Sequence, residues 1–133
     1  MSVGSVKVVS HLFESLAAGD IDAMVANFHP DIVVKEADNL PFGGLHQGVK
    51  AFREDLLGGI AAGADLVVSD REMMDTGGDV VVVRMIGTFT SKHTGRTVRM
   101  PMVELWKVED GQITEIDVFY KDVTEMAKLY EER

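Results

Sequence analysis

The chain has no cysteine. Disulfides, thiolate nucleophiles and cysteine-based metal sites are therefore excluded. Positive charge is scarce: 13 Lys and Arg stand against 22 Asp and Glu, a formal net charge of −9. Phosphate recognition needs a basic footprint, so nucleic acid is excluded as a partner, and anionic membrane surfaces gain no support. No apolar run approaches the length of a membrane-spanning helix. The opening MSVGSVKVV lacks the basic and apolar regions of a leader peptide. A cytoplasmic location is the expectation. No two histidines stand at metal-ligand spacing, so no metal site and no cofactor are expected. The Gly-Gly-Leu-His-Gln-Gly run lacks both the Lys-Ser/Thr of a phosphate loop and the glycine spacing of a dinucleotide fingerprint.

What remains is an ordinary globular composition, 46% hydrophobic and 26% charged over 133 residues. One domain covering residues 1–133 is expected, with enough chain for a real core. Val6, Val9, Leu12, Phe13 and Leu16 recur at helical spacing, predicting a helix over Val3 to Ala18 with Ser5 or Ser2 as cap and Gly19 as stop. Asp20 caps a short second helix with Ile21, Met24, Val25 and Phe28 on its apolar face, and His29-Pro30-Asp31 breaks it. Ile32 to Ala37 reads as a strand and Asp38 to Gly48 as a loop. A third helix is predicted from Val49 to Leu57, ended by Gly58-Gly59. Strands follow over Asp65 to Asp75 and Val80 to Thr90, and the last residues, Val123 to Arg133, read as a short polar tail or a helical turn. Helices first and antiparallel strands after make the class α+β.

The stretch Met100 to Asp122 carries the strongest signal. Two apolar runs flank Glu-Asp-Gly, the mark of a β-hairpin with glycine at a positive φ. Alternation sets Met100, Met102, Glu104 and Trp106 on one face, and Arg99, Pro101, Val103, Leu105 and Lys107 on the other. Glu104 thus shares a face with two methionines and the single tryptophan. A carboxylate there is costly unless it is paired, protonated or used.

The order helix, short helix, strand, helix, four strands resembles the NTF2-like superfamily, and within it the SnoaL-like and ketosteroid-isomerase-like proteins. The resemblance rests on LFESLAAGDIDAMVANFHPDIVV, LPFGGLHQGVKAF and VELWKVEDGQITEIDVFYKD and covers nearly the whole chain. It implies a cystatin-like cone: a curved antiparallel sheet wrapped around three helices, with an internal apolar pocket and usually a dimer. By resemblance to the ketosteroid isomerases, the carboxylate base falls on Glu36 and the neutral carboxyl that donates to the oxyanion on Glu104. The position of their tyrosine is Leu12. The water-activating set of the limonene epoxide hydrolases would fall on Met85, Gly87 and Val118, which cannot do that chemistry but mark pocket-facing positions. The His and Asp of SnoaL-type cyclases find no secure counterpart. Asp117 sits on a strand whose apolar face is Ile116, Val118 and Tyr120, and so faces outward.

The expected pocket wall is Leu12, Leu16, Phe28, Val34, Phe42, Phe52 and Leu56 from the first half of the chain. From the second half come Val83, Met85, Phe89, Met100, Met102, Trp106, Ile116 and Val118. Its polar groups are Glu36, Glu104, Tyr120 and the Trp106 indole, a short list in a large apolar wall, as small-molecule sites have. Two carboxyls in such a place cannot both ionise cheaply. With Glu36 as base and Glu104 or Tyr120 as donor to an enolate oxygen, the set would move a proton beside a carbonyl. The expected ligand is a small, apolar, ketone- or polyketide-like molecule, and a non-catalytic ligand-binding or interaction module is the alternative. Structural roles compete residue by residue. Glu36 could bind backbone of the Asn39 to Gly44 loop or pair with Lys35. Glu104 could pair with Arg84 or Arg99, although both fall on the opposite face. Tyr120 could be a rim residue of the core; His46, in the loop before the third helix, could reach the pocket mouth, but a solvated side chain is the simpler reading for it, as for His11, His29 and His93. The apolar stripe Pro101, Val103, Leu105 and Phe119 on the outer face predicts a homodimer through the sheet.

Overall fold

The structure, a computed structural model, describes residues 2–132, with side chains from Gly4 onward. Met1, Arg133 and the side chain of Ser2, one of the two expected caps, lie outside the described residues. The other, Ser5, lies within the first helix, α1 (Ser2–Ala17). Gly19, at φ 75°, turns the chain out of α1. Its N–H and that of Asp20 close back on the Leu16 and Ser15 carbonyls at 3.0 and 2.9 Å, a glycine stop that uses the left-handed region. The α1 stripe expected from the spacing is the one that packs: Val9, Leu12 and Phe13 are buried, and Val6 and Leu16 pack partly buried against them.

After α2 (Ile21–Val25) come β1 (Phe28–Glu36) and β2 (Gly44–Gln47). Residues 49–63 then form one continuous helical run, labelled α3, with a π-helical middle over Phe52–Leu57. It is followed by β3 (Ala64–Asp75), β4 (Val80–Ser91), β5 (Thr97–Glu109), β6 (Gln112–Tyr120) and α4 (Val123–Glu131). The six strands make one curved sheet in the order β2-β1-β6-β5-β4-β3. No helix among the described residues is long and apolar enough to cross a membrane.

Five expectations are corrected. The sheet is mixed, because β1 runs parallel to β6. No hairpin joins these two strands, so no turn dictates their direction. Phe28 does not belong to α2: it opens β1, and His29 and Pro30 lie within that strand. The β1–β6 register slips between Phe28 and Val33, and such an irregularity tolerates a residue with no N–H to give. Part of the expected loop Asp38 to Gly48 forms the edge strand β2, paired with β1 from Val33↔Gln47 to Glu36↔Gly44.

Gly58-Gly59 does not end the third helix. A Cβ on Gly59 would lie 2.8 Å from the Phe42 Cβ, and one on Gly63 would lie 2.7 Å from the Tyr130 ring. These glycines serve close approach, which a local stop signal cannot be told from in sequence. Finally, the tail is more than a single turn: Val123–Glu131 form a helix, so the described residues hold four helices where three were expected. The Asp122 side chain caps it by accepting from the Glu125 N–H at 3.1 Å, and it buries Met126, Leu129 and Tyr130.

Candidate active site

β5 is central, flanked by β4 and β6, and its alternation is regular. Met100, Met102, Trp106 and Val108 are buried, while Arg99 and Pro101 on the other face are exposed. Glu104 keeps step with the buried set, opposite Val83 on β4 and Val118 on β6. The Trp106 indole N–H donates to Glu104 Oε1 at 2.9 Å. The indole is itself fixed by the Phe13 ring at 5.2 Å and the Phe28 ring at 6.5 Å. Glu36, the last residue of β1, follows buried Ile32 and Val34 at period two. The parallel register Val34↔Ile116 brings it beside β6, where the Tyr120 hydroxyl donates to Glu36 Oε1 at 2.7 Å.

Glu36, Glu104 and Tyr120 line one cavity of about 80 Å³. Phe52, Leu56, Met85, Phe89, Met102, Trp106, Ile116 and Val118 line it too, with Leu16 and Val34. None of its described lining residues is a Lys, Arg or His. The two carboxyls therefore sit in an apolar wall with only neutral donors for company.

Five of the expected lining residues stand elsewhere. Leu12 is fully buried in the packed core. Phe28 lies behind the wall, edge-on to Phe52 at 4.8 Å. Phe42 packs edge-on against Tyr130 at 5.0 Å. Met100 receives the Asp122 N–H on its sulfur at 3.4 Å, under the start of α4. Val83 is likewise core, fully buried. Six residues not expected to line the cavity do so: Phe13, Met24, Leu57, Ile60, Leu66 and Val68. Phe13 shares the apolar stripe of α1, where choosing it over Leu12 needs the helix rotation. Ile60 is lost when the helix is stopped at Gly58-Gly59. Leu66 and Val68 alternate inward along β3 with Ala64, a period-two signal that was available.

The competing structural roles find other partners. Lys35 pairs with Glu115 at 3.6 Å, Arg84 with Glu72 and Arg99 with Asp70 at 3.4 Å. Asp117 does not line the cavity. His46 donates from Nε2 to the Phe42 carbonyl at 2.7 Å, which ties down the loop before α3. No group of His, Asp and Glu among the described residues could hold a metal ion.

Burial sets the electrostatics. It pushes Glu36 up to about 8, with repulsion from Glu104 adding to the rise and the Tyr120 hydroxyl and Ala37 backbone bonds opposing it. It pushes Glu104 up to about 7, against the pull of the Trp106 indole. Tyr120 is driven upward by burial and then by the negative charge at Glu36. Tyr130 of α4 moves the same way and for the same two reasons. Near neutral pH, then, this cavity disfavours two carboxylates together: at least one carboxyl keeps its proton, and so does the phenol. A group that takes a proton and a group that gives a hydrogen bond are present together.

Comparison with known proteins adds a family and a fold. Residues 9–116 match the profile of the SnoaL-like domain. No curated protein shows a match to the sequence. An NTF2-like protein from Burkholderia xenovorans superposes with a TM-score of 0.87 at 23% identity, over 98% of either chain. TerC, co-crystallised with polyporic acid, gives a TM-score of 0.85 at 20% identity, over 97% of this chain and 99% of TerC. A candidate polyketide cyclase from Xanthomonas campestris gives 0.80 at 22% identity, over 96% of each chain. At such identities the likeness is one of fold.

Proposed function

Because the chain belongs to the SnoaL-like domain family, we propose that it binds a small apolar carbonyl compound in the internal cavity and moves a proton beside the carbonyl without a cofactor. The observation that carries this is the pairing of Glu104 and the Glu36–Tyr120 couple in one apolar cavity. Isomerisation and cyclisation of ketone- or polyketide-like molecules both begin with such a step. The solved relative called a candidate polyketide cyclase is consistent with that class of substrate.

Burial raises both carboxyls, so one of them keeps its proton. We assign Glu104, held by a single indole N–H, as the carboxylate base, and Glu36, backed by the Tyr120 hydroxyl, as the donor facing the enolate oxygen. The roles are then the reverse of those the sequence resemblance implies. In this arrangement Glu104 keeps Oε2 free for the proton while the indole holds Oε1. Preorganised donors in a water-poor cavity stabilise the developing oxyanion more than water does.

The test is deuterium exchange next to the carbonyl of 2-tetralone and related ketones in D2O, followed by NMR. Glu104→Gln cannot accept a proton and should lose about a thousandfold in rate, within the range of general-base catalysis. Glu36→Gln can still donate a hydrogen bond and should lose much less. Equal losses in the two variants would defeat the role assignment. Exchange no faster than in buffer, across the whole ketone series, would leave the non-catalytic binding module in its place.

The same proposal includes a twofold dimer through the outer sheet face, where Phe119 is 51% exposed beside Pro101 and Val103.

A further inference from the structure

β3 carries a bulge that changes which side chain faces the helices. Its pairing with β4 runs in step to Ser69↔Ile86 and resumes at Glu72↔Arg84, so Asp70 and Arg71 together oppose Met85. Asp70 takes the left-handed conformation, φ 54°, which Asp tolerates better than most residues. Strict alternation from Leu66 and Val68 would put Asp70 inside and Arg71 outside. The bulge exchanges them. Asp70 reaches Arg99 on the outer face at 3.4 Å, and the Arg71 guanidinium lies over the Phe13 ring at 5.2 Å. Bulges beside functional sites commonly re-aim a side chain in this way.

Arg71 thereby faces the helix side of β3, at the edge of a groove beside the cavity. A groove of about 720 Å³ runs between α1, α3 and β3, and Phe13, Leu16, Leu57, Ile60, Leu66 and Val68 line both it and the cavity. Three charged side chains border the groove: Arg53, Asp65 and Arg71. Arg53 is held by Asp22 at 2.6 Å, and Asp65 has Lys92 at 3.8 Å. Arg71 has its ring contact, and no acidic partner engages it among the described residues. On a chain of net charge −9, the groove therefore presents one unmatched positive charge beside apolar residues that it shares with the cavity, and the Glu36–Glu104 pair lies on the cavity side of them.

Resting on the function proposed above, we propose that the substrate is an apolar carbonyl compound that also bears a carboxylate, with Arg71 as its specificity residue. The carbonyl end enters the cavity and the carboxylate stays in the groove on the Arg71 fork. The orientation follows from charge, because a carboxylate pushed inward would meet the Glu36–Glu104 pair. The planar guanidinium suits a carboxylate in bidentate geometry, and it leaves the Phe13 face to reach one.

Three probes test this by calorimetry near neutral pH: 2-naphthol, 6-hydroxy-2-naphthoate and the methyl ester of the latter. Wild type should prefer the acid to its ester by about fivefold or more at low salt, a modest factor suited to an exposed ion pair. Arg71→Met should erase that preference and leave ester and naphthol binding unchanged. Arg71→Lys should keep part of it, and Arg53→Gln all of it. Equal binding of acid and ester to wild type, or a preference that survives in Arg71→Met, would overturn the Arg71 assignment while leaving the cavity chemistry standing. Failure of all three probes to bind would overturn both.

Discussion

Glu36 and Glu104 tie the chemistry of the site to the stability of the fold. Both have folded-state pKa values raised above the ordinary 4.5, to about 8 and about 7. Between those limits the folded protein holds protons that the unfolded chain has released. The stability this brings is fully present below about pH 4.5 and is lost as the pH rises through 7 and 8. Thermal melts should therefore fall by roughly 5 °C or more from pH 5 to pH 9, and the double variant Glu36→Gln/Glu104→Gln should flatten that slope. A slope unchanged in the double variant would place the titrating groups elsewhere. Much at this scale was legible in the sequence. A glutamate in register with Met100, Met102 and Trp106 is visible from alternation alone, and so is the inward step from Val34 to Glu36. The contact between Glu36 and Tyr120 is not visible, because the two residues are 84 positions apart and only the parallel pairing of β1 and β6 unites them.

Elements were legible where their pattern is local. The stripe of α1, the turn at Asp110-Gly111 with both residues at positive φ, and the alternation of β4 and β5 all follow from spacing. They were illegible where tertiary contact decides. β2 is four residues on an edge, and its sequence is rich in turn formers. α4 has an apolar stripe that shows only once a surface exists to receive it. α3 runs through Gly58-Gly59 because the chain needs Gly59 under Phe42, not because glycine favours a helix. Gly59→Ala measures that need. In an exposed helix interior the change would gain about 1 kcal/mol, but here the new methyl meets the Phe42 Cβ at 2.8 Å. A loss of about 1–3 kcal/mol by denaturant unfolding is expected, the usual cost of overpacking. A gain in stability would show that Phe42 and α3 part easily.

At the scale of the whole molecule, the outer face of the sheet is the surface without a role in the cavity. Phe119 is exposed there, and the charges around it, Arg84 with Glu72 and Arg99 with Asp70, are already paired. Paired charges around an apolar centre suit a self-complementary contact. Sedimentation velocity should show a dimer for wild type and a monomer for Phe119→Glu, with ketone exchange per chain retained. A wild type that stays monomeric at high concentration would remove this face from consideration.

The position of β6 in the sheet order has a temporal consequence. It is the last of the six described strands along the chain, yet it stands between β1 and β5. Until it emerges, the growing chain holds two fragments of sheet, β2-β1 and β5-β4-β3, with one glutamate on each and no strand to join them. Contacts of such long sequence separation form at a high entropic cost and therefore late. A chain on this order can have most of its secondary structure and still lack the cavity. The cavity is complete only when one strand closes the sheet and brings the two carboxyls together.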